Sequence, residues 1–327
     1  MGAVDVERLA RLAEPGDDAR LLGGDDRRGL PRGQDRPGRH VAEADVLEDE
    51  TADLAPPVHC RPQHAEGYNG GRMIVGILGL GAIGSFLAKE LSKDPGVTEV
   101  LGYDIDPKRL PVVVKEAPKL HSSSAEGLLK RADVVVEAAS VAAARTFLPK
   151  ALAAGKHVVV LSVGALADAE FLKQCLAVAE RHGSVLHVPS GAVGAIDALK
   201  AARFAGLEFV EIETRKRPEA LGKPTGTSGV VFEGNAVEAA AQFPANINVA
   251  VTLGLAGVGP ERTRVRIVAD PDAPGNVHRV HYRGDFGEVT VTLENRPHPD
   301  NPKTSALAAY SALALIRELG GRLRVGT

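Results

Sequence analysis

Cysteine is nearly absent: Cys60 and Cys175 are the only two in 327 residues. Two thiols so far apart supply neither a disulfide framework nor a metal-ligand cluster, so no metal site is expected. Cys175 sits in a helical pattern and reads as a small buried hydrophobe. An excess of one charge is also missing. The 39 Lys and Arg residues are mixed with 42 Asp and Glu, for a formal charge of −3. That balance lacks the basic footprint of a nucleic-acid partner. No apolar run approaches the ~20 residues of a membrane span. Residues 1–15 lack the apolar centre of a signal peptide. The apolar share, 44%, is that of a globular protein, and 327 residues suffice for two domains. A soluble, cytoplasmic protein is expected.

Residues 1–72 lack more. They hold no Lys, Phe or Ile, whereas Arg occurs 10 times and Asp plus Glu 15 times. Beyond a short helical pattern at Val4–Ala13 there is no periodicity, only charged and turn-forming runs such as GGDDRRGLPRGQDRPGRH. Such a segment buries too little apolar surface to offset its ordering entropy, and disorder is expected. The change at Met73 is abrupt. The expectation is that the functional protein starts there, residues 1–72 being a start set too far upstream or a dispensable extension; a genuine regulatory tail is the alternative.

The informative stretch is Met73 to Asp106. An apolar run, Ile74–Leu78, is long enough for one buried strand. Gly79, Gly81 and Gly84 follow at the spacing G-x-G-x-x-G, then a helical pattern from Ala82 to Leu91 and a second strand, Glu99–Tyr103. Asp104 stands 20 residues after Gly84. This order is that of a dinucleotide-binding unit. The first glycine makes the turn, the second admits a pyrophosphate, and the third lets the helix close on the strand. The helix N-terminus then offers free N–H groups to phosphate. A glycine-rich turn without ligand is the bland alternative. Asp104 can bond both ribose hydroxyls of NAD and repel a 2′-phosphate, so NAD is expected ahead of NADP. Lys108 and Arg109 soften that preference. Asp104 could instead be a turn aspartate, although Asp106, before Pro107, fits a helix cap better.

Strands and helices then alternate: a short helix within Pro107–Glu116, a strand at Lys119–Ser122, a helix at Ala125–Arg131 and a strand at Asp133–Glu137. After them come the helix Val141–Ala154 capped by Ser140, the strand His157–Leu161, the helix Ala169–His182 and the strand Ser184–Val188. Alternation implies a parallel sheet with ligands at its carboxyl edge. The second half differs. It reads as a helix at Ala192–Ala205, a strand at Glu208–Lys216 with Val210, Ile212 and Thr214 on one face, and a strand at Val230–Glu233. Two short helices (Asn235–Gln242, Asn248–Ala256), three strands (Thr263–Ala269, Val277–Arg283, Glu288–Leu293) and an apolar helix, Lys303–Leu319, complete it. The expected fold is α/β: a Rossmann parallel-sheet dinucleotide-binding domain (73–190 plus 301–327), a smaller α+β catalytic domain (191–300) and a disordered extension (1–72).

Removing a hydride needs a partner that takes the proton, most often histidine. His121, His157, His182 and His187 fall in or beside the nucleotide elements and read as structural or surface residues. His278, His281 and His298 belong to the second half. His278 and His281, three apart on one strand, point to opposite faces, so only one can face a cleft; spacing alone does not choose. Asn248, at a helix start, is either a cap or an amide that holds the nicotinamide carboxamide, with Asn246 second for that role. Lys303, Thr304 and Ser305, at the start of the last helix, suit a substrate anion, although the two hydroxyls could simply cap it.

Five segments carry a resemblance: GILGLGAIG (76–84), VPSGAVGAIDAL (188–199), FPANINVAVTLGLAG (243–257), ADPDAPGNVHRVHYRGDFG (269–287) and NPKTSALAAYSAL (301–313). From Met73 onward the chain resembles the L-aspartate dehydrogenases. The resemblance implies oxidation of L-aspartate to iminoaspartate with NAD or NADP, a product that feeds pyridine nucleotide biosynthesis, and a homodimer. It implies His278, in the N-x-H motif, as the active-site histidine, and Ala192 and Asn248 as cofactor contacts. Gly79, Gly81, Ala82, Ile83, Gly84, Asp104 and Ala139 complete the expected cofactor site. Two rival expectations stand beside it. One is a dihydrodipicolinate reductase or homoserine dehydrogenase relative, although the reductase's K-x-D-x-P-S-G-T loop is missing and the chain offers KRPEALGKPTGTSG instead. The other is an NAD-binding sensor without turnover.

Overall fold

The computed structural model describes residues 73–243, 247–299 and 301–326, apart from the side chains of residues 302 and 303. The expectations for residues 1–72, the helix at Val4–Ala13 included, and for Asn246 fall outside the described residues.

Short apolar runs become the strands β1 (Met73–Leu78), β2 (Val97–Tyr103), β3 (Leu120–Ser122), β4 (Val134–Glu137), β5 (His157–Val160) and β6 (Val185–His187). They form one parallel sheet of six in the order β3-β2-β1-β4-β5-β6. All four residues of β4, Val-Val-Val-Glu, are buried, as a strand covered on both faces requires. The order reverses between β1 and β4, the place where such sheets bind ligands beyond their carboxyl ends. The connecting helices are α1 (Ala82–Ser92), α2 (Arg109–Val113), α3 (Ala125–Arg131), α4 (Val141–Ala153) and α5 (Ala169–His182). Their ends follow local chemistry. The Ser140 hydroxyl accepts from Ala143 N–H (3.1 Å) at the start of α4, and the Asp168 carboxylate accepts from Glu170 and Phe171 N–H at α5. Gly183 ends α5 at φ 63°.

The second half builds a mixed sheet from β7 (Leu207–Lys216), β8 (Gly229–Asn235), β9 (Thr263–Ala269), β10 (Asn276–Gly284) and β11 (Gly287–Asn295), in the order β11-β10-β7-β9-β8. β7 is central, parallel to β9 and antiparallel to β10. Its period of two buries Val210, Ile212, Thr214 and Lys216 on one face and leaves Phe209, Glu211 and Glu213 half-buried on the other. The helix α6 (Ile196–Ala202) lies between the two sheets in sequence, and α7 (Ala236–Gln242) and α8 (Asn248–Ala256) lie between β8 and β9. A two-stranded hairpin, β12 (Pro297–His298) and β13 (Asn301–Ser305), leads into the last helix, α9 (Ala306–Gly320).

β1 shows why both sheet faces are covered. Val75 and Ile77 point into a cluster with Leu87 and Leu91 of α1 and with Leu313 and Ile316 of α9. Leu78 points into a second cluster that runs through Leu148, Leu166 and Leu253 to Ile212, Val265 and Tyr282 of the mixed sheet. One apolar core thus joins the carboxyl side of the parallel sheet to the buried face of the mixed one.

Two helices differ from expectation. The helix expected at Ala192–Ala205 begins only at Ile196, because residues 191–195 turn: Gly191 has φ 67° and Ala195 φ 59°. The helix expected from Lys303 begins at Ala306, since residues 301–305 pair with β12. Ala195 is the only non-glycine residue at positive φ among the described residues, and its carbonyl accepts from the Tyr282 hydroxyl at 3.2 Å. The left-handed conformation costs an L residue ~1–2 kcal/mol, against the ~0.5–1 kcal/mol of extra entropy that a glycine loses. Ala195→Gly should therefore leave the unfolding free energy unchanged or raise it by up to about 1 kcal/mol in denaturant titration. A drop of ~1 kcal/mol, as for Ala→Gly inside a helix, would contradict the strain at this residue.

Candidate active site

The loop between β1 and α1 carries the glycine motif, and each glycine has a visible reason. Gly79 has φ 95°, and a Cβ there would come within 2.7 Å of Ala139 Cα. A Cβ at Gly84 would run into the Gly79 carbonyl oxygen, so this glycine lets α1 close on β1. At Gly81 the nearest atom to a Cβ is Arg109 Nη1, at 3.6 Å. Its surroundings are open, as an approaching pyrophosphate needs.

Asp104, at the end of β2, accepts from Leu80 N–H (2.6 Å) through Oδ2 and from Asp106 N–H (2.8 Å) through Oδ1. It is therefore a turn aspartate that also anchors the glycine loop, and each oxygen keeps a further lone pair for a ribose hydroxyl. Arg109 Nε lies 3.9 Å from its Oδ1. Asp106 is not the helix cap it resembled. Its carboxylate accepts from Lys108 N–H, and Lys108 occupies the cap position of α2 without a side-chain bond.

A cavity of about 480 Å³ opens beyond β1 and β4, and Gly81, Ala82, Ile83, Ala139, Asn248 and Thr304 all line it. A larger cavity, about 630 Å³, lies beyond β6 among His187, Lys200 and Glu318. None of the expected site residues lines that one, and the switch-point cavity is the one with the geometry for a nucleotide.

The cavity's floor is organised by a residue that sequence reasoning passed over. Glu137 is fully buried at the end of β4. Its Oε1 accepts from Ala139 N–H (2.9 Å), Ser140 N–H (3.0 Å) and Ser162 O–H (3.0 Å), and its Oε2 from Ser162 N–H (3.0 Å). Burial raises its pKa, while these four donors oppose the rise. Asn248 is the first residue of α8, not its cap, which is Ile247. Its Oδ1 accepts from Gly164 N–H at 3.0 Å, which leaves the amide nitrogen as its donor.

The mixed sheet contributes a buried polar layer. Thr214, Lys216, Asn276, His278 and Asn295 are all buried. His278, on β10, is 2% exposed, and its Nδ1 lies 3.0 Å from the hydroxyl of Thr214, its partner across the strands. Burial, helped by the Lys216 ammonium, pushes the His278 imidazole down to about 3. His281 points the other way and pairs with Glu288 on the opposite face at 2.5 Å. His298 is buried on β12 with its ring edge-on to Phe86. The Asn295 amide donates to Ala192 O (3.0 Å), and the Asn276 amide donates to Ser305 O–H (3.1 Å). Ser305 is the first residue before α9 but makes no side-chain cap bond. Thr304 accepts from the Asn301 amide at 3.2 Å. Lys303's side chain lies outside the described atoms.

Gly79, Gly84 and Asp104 lie in or against the glycine loop, and the other expected residues among those described fall into two groups. Gly81, Ala82, Ile83, Ala139, Asn248 and Thr304 share the cavity wall; Ala192, His278 and Ser305 belong to the polar layer. The groups adjoin where Thr304 and Ser305 are consecutive on β13. Sequence reasoning missed Glu137, Lys216 and the Thr214 bond to His278. The available signals were a lone acid ending a Val-Val-Val run and polar residues at the buried period of β7.

A parallel nucleotide sheet joined to a mixed sheet that holds one buried imidazole defines a nicotinamide-nucleotide-dependent oxidoreductase. Comparisons with known proteins narrow the class. Residues 197–319 match the family described as "Aspartate dehydrogenase, C-terminal", and residues 79–189 match "Homoserine dehydrogenase, NAD binding domain". An L-aspartate dehydrogenase of Methanosarcina barkeri is 39% identical over 268 residues, covering 77% of this chain and 99% of the relative. One from Methanothermobacter thermautotrophicus is 42% identical over 257 residues, covering 78% and 99%. The crystal structure of aspartate dehydrogenase from Thermotoga maritima superposes with a TM-score of 0.63 at 31% identity, covering 78% of this chain and 99% of that one. The chain belongs to the L-aspartate dehydrogenase family, and its cofactor is NAD. No helix among the described residues is long and apolar enough to cross a membrane.

Keeping His278 neutral has a consequence for stability. Its pKa is about 3 folded against 6.5 for the free side chain, so between these values the unfolded chain binds more protons. Stability is then full above pH 6.5 and falls as the pH drops, by up to about 1.4 kcal/mol per pH unit for this one group. His187, pushed down to about 4 by burial and by His157, acts in the same direction; Glu137, with its raised pKa, opposes it. The clean readout is a difference. From pH 7 to pH 5 the wild type should lose more unfolding free energy than His278→Asn. Equal losses would mean that His278 is not held neutral.

Proposed function

We propose that this enzyme oxidises L-aspartate at Cα, giving iminoaspartate, NADH and a proton, and that water then converts the imine to oxaloacetate and ammonia. Two features support this together. The chain spans 99% of the L-aspartate dehydrogenases it resembles, and the buried His278 belongs to a polar layer that meets the cavity wall where Ser305 follows Thr304 on β13. The residues present fit the cofactor. The Gly79–Gly84 loop and the N-terminus of α1 would hold the pyrophosphate, Asp104 the ribose, and Ala139 and Asn248 the nicotinamide end. When bound, NAD supplies the hydride acceptor.

The chain's own residues do the rest. A Thr214 hydroxyl that accepts from His278 Nδ1–H leaves the lone pair on Nε2, the atom assigned to take a proton from the substrate amine as the C=N bond forms. A 2% exposed imidazole works without competing water. The Ala192 carbonyl is held by the Asn295 amide, and Ala192 would contact the cofactor from the edge of the polar layer. NADP as a second cofactor, an imine that feeds pyridine nucleotide biosynthesis, a homodimer and a cytoplasmic location belong to the same proposal through the family resemblance.

Reduced-nicotinamide formation with L-aspartate, compared with other amino acids and with hydroxy acids, tests the substrate. L-Aspartate should be preferred; turnover of L-homoserine in its place, or of none of them, would overturn the assignment. His278→Asn should lower kcat roughly 10²–10⁴-fold and leave NADH affinity within about twofold. Wild-type kcat in that variant would remove His278 from the chemistry.

A further inference from the structure

A second cavity adjoins the glycine loop. It measures about 290 Å³ and lies between α1 and α2, lined by Gly81, Ala82, Ser85, Lys89, Arg109 and Glu116. Gly81 and Ala82 also line the nucleotide cavity, so the two spaces meet at the loop. Leu80, whose N–H donates to Asp104, borders the smaller one too. A nucleotide that sets its adenosine ribose on Asp104 therefore brings that ribose to the edge of this space.

The two cations of this cavity are not alike. Lys89 pairs with Glu116 at 3.0 Å. Arg109 makes only long contacts: Nη1 stands 3.4 Å from the Leu80 carbonyl oxygen, and Nε 3.9 Å from Asp104 Oδ1 and from Asp106 Oδ2. Contacts of that length are weak. A guanidinium carries five N–H donors in a planar fork that fits a phosphate. This one also stands over the loop itself, since a Cβ at Gly81 would lie 3.6 Å from Nη1. Asp104, the residue that should reject a second phosphate, is muted. Its oxygens accept from Leu80 N–H (2.6 Å) and Asp106 N–H (2.8 Å), and the guanidinium lies beside it. Donors on both oxygens and a neighbouring cation reduce the repulsion that an approaching anion meets.

We propose that Arg109 reads the 2′-phosphate of NADP, and so lets the site that takes NAD accept the phosphorylated cofactor as well. The guanidinium turns from its long aspartate contacts to the phosphate in the smaller cavity. NADP gives up the bond from its 2′-hydroxyl to Asp104 and gains the bonds of the fork; the 3′-hydroxyl keeps its place on Asp104. This assignment rests on the nucleotide site described above and on NADP as the second cofactor proposed for it. It does not depend on the substrate.

Adenosine 5′-monophosphate and adenosine 2′,5′-bisphosphate differ only in the 2′-phosphate, and neither needs turnover to be read. The full chain is titrated calorimetrically with both, and with NADH and NADPH. Arg109→Leu should weaken the bisphosphate and NADPH roughly tenfold or more, with the monophosphate and NADH within about threefold. Arg109→Lys should recover part or all of the loss, through charge without the fork. Arg109 is half-exposed and makes no short bond, so the variants are expected to fold; should the leucine variant not fold, Arg109→Gln is read by the same titration.

A loss of equal size for the monophosphate marks a role in the loop as a whole and overturns the proposal. So does a variant that holds the bisphosphate within about threefold of wild type, or a wild type that binds the bisphosphate more than about a hundredfold less tightly than the monophosphate, because Asp104 then prevails. If the wild type binds none of the four nucleotides, the nucleotide site itself is wrong and this assignment falls with it. If the 2′-phosphate is read through Arg109 yet L-aspartate is not oxidised, the reaction assignment fails and the role of Arg109 stands.

Discussion

Glu137 is the point on which the site's geometry depends. A carboxylate with no solvent contact must have its lone pairs filled by the protein, and the donors that fill them come from two loops. Ala139 and Ser140 belong to the turn after β4; Ser162 belongs to the turn after β5. Gathering both turns on one side chain fixes the floor of the cavity at the switch point. From Ser162 the constraint passes along the chain to Gly164, whose N–H donates to Asn248 at the head of α8. α8 buries Val251 and Leu253 in the cluster shared with Ile212 and Val265 of the mixed sheet. A single buried acid in the nucleotide half is thus linked, through two hydrogen bonds and one helix, to the strand that carries Thr214 and Lys216.

The second half of the site obeys the opposite economy. The buried face of the mixed sheet is apolar at Val210 and Ile212 and turns polar at its end, with Thr214, Lys216, Asn276, His278 and Asn295. Stability alone favours apolar residues there. Each of these groups carries a desolvation cost and needs a partner, and the partners observed reach across to the other elements: Asn295 to Ala192, Asn276 to Ser305, Tyr282 to Ala195. Such bonds hold the 190–195 turn and β13 against the sheet. They also concentrate polarity on the face that meets the cavity wall at β13.

Much of the fold was legible because its signals are local. The Ala125–Arg131 and Ala169–His182 helices follow from apolar period and caps, and the glycine loop from spacing, with Gly79 and Gly84 meeting steric demands that only glycine satisfies. What stayed hidden is non-local. Asn248 resembled a helix cap because its real partner, Gly164, lies 84 residues away. The helix drawn from Ala192 ignored a left-handed alanine that Tyr282, 87 residues on, helps to hold. The start of the last helix was placed too early because pairing between β12 and β13 overrides its helical pattern. His278 and His281 could not be separated by spacing, and the register against β7 is what turns one inward to Thr214 and the other outward to Glu288.

The central claim is that the switch-point cavity and the polar layer form one site, with cofactor on the first and substrate on the second. The most direct measurement is a crystal structure of the full chain with NADH and succinate. The account predicts the nicotinamide ring in the cavity beside Asn248, with the dicarboxylate between that ring and His278. A nucleotide lying away from the Gly79–Gly84 loop, or a dicarboxylate bound where His278 cannot reach it, would contradict the account.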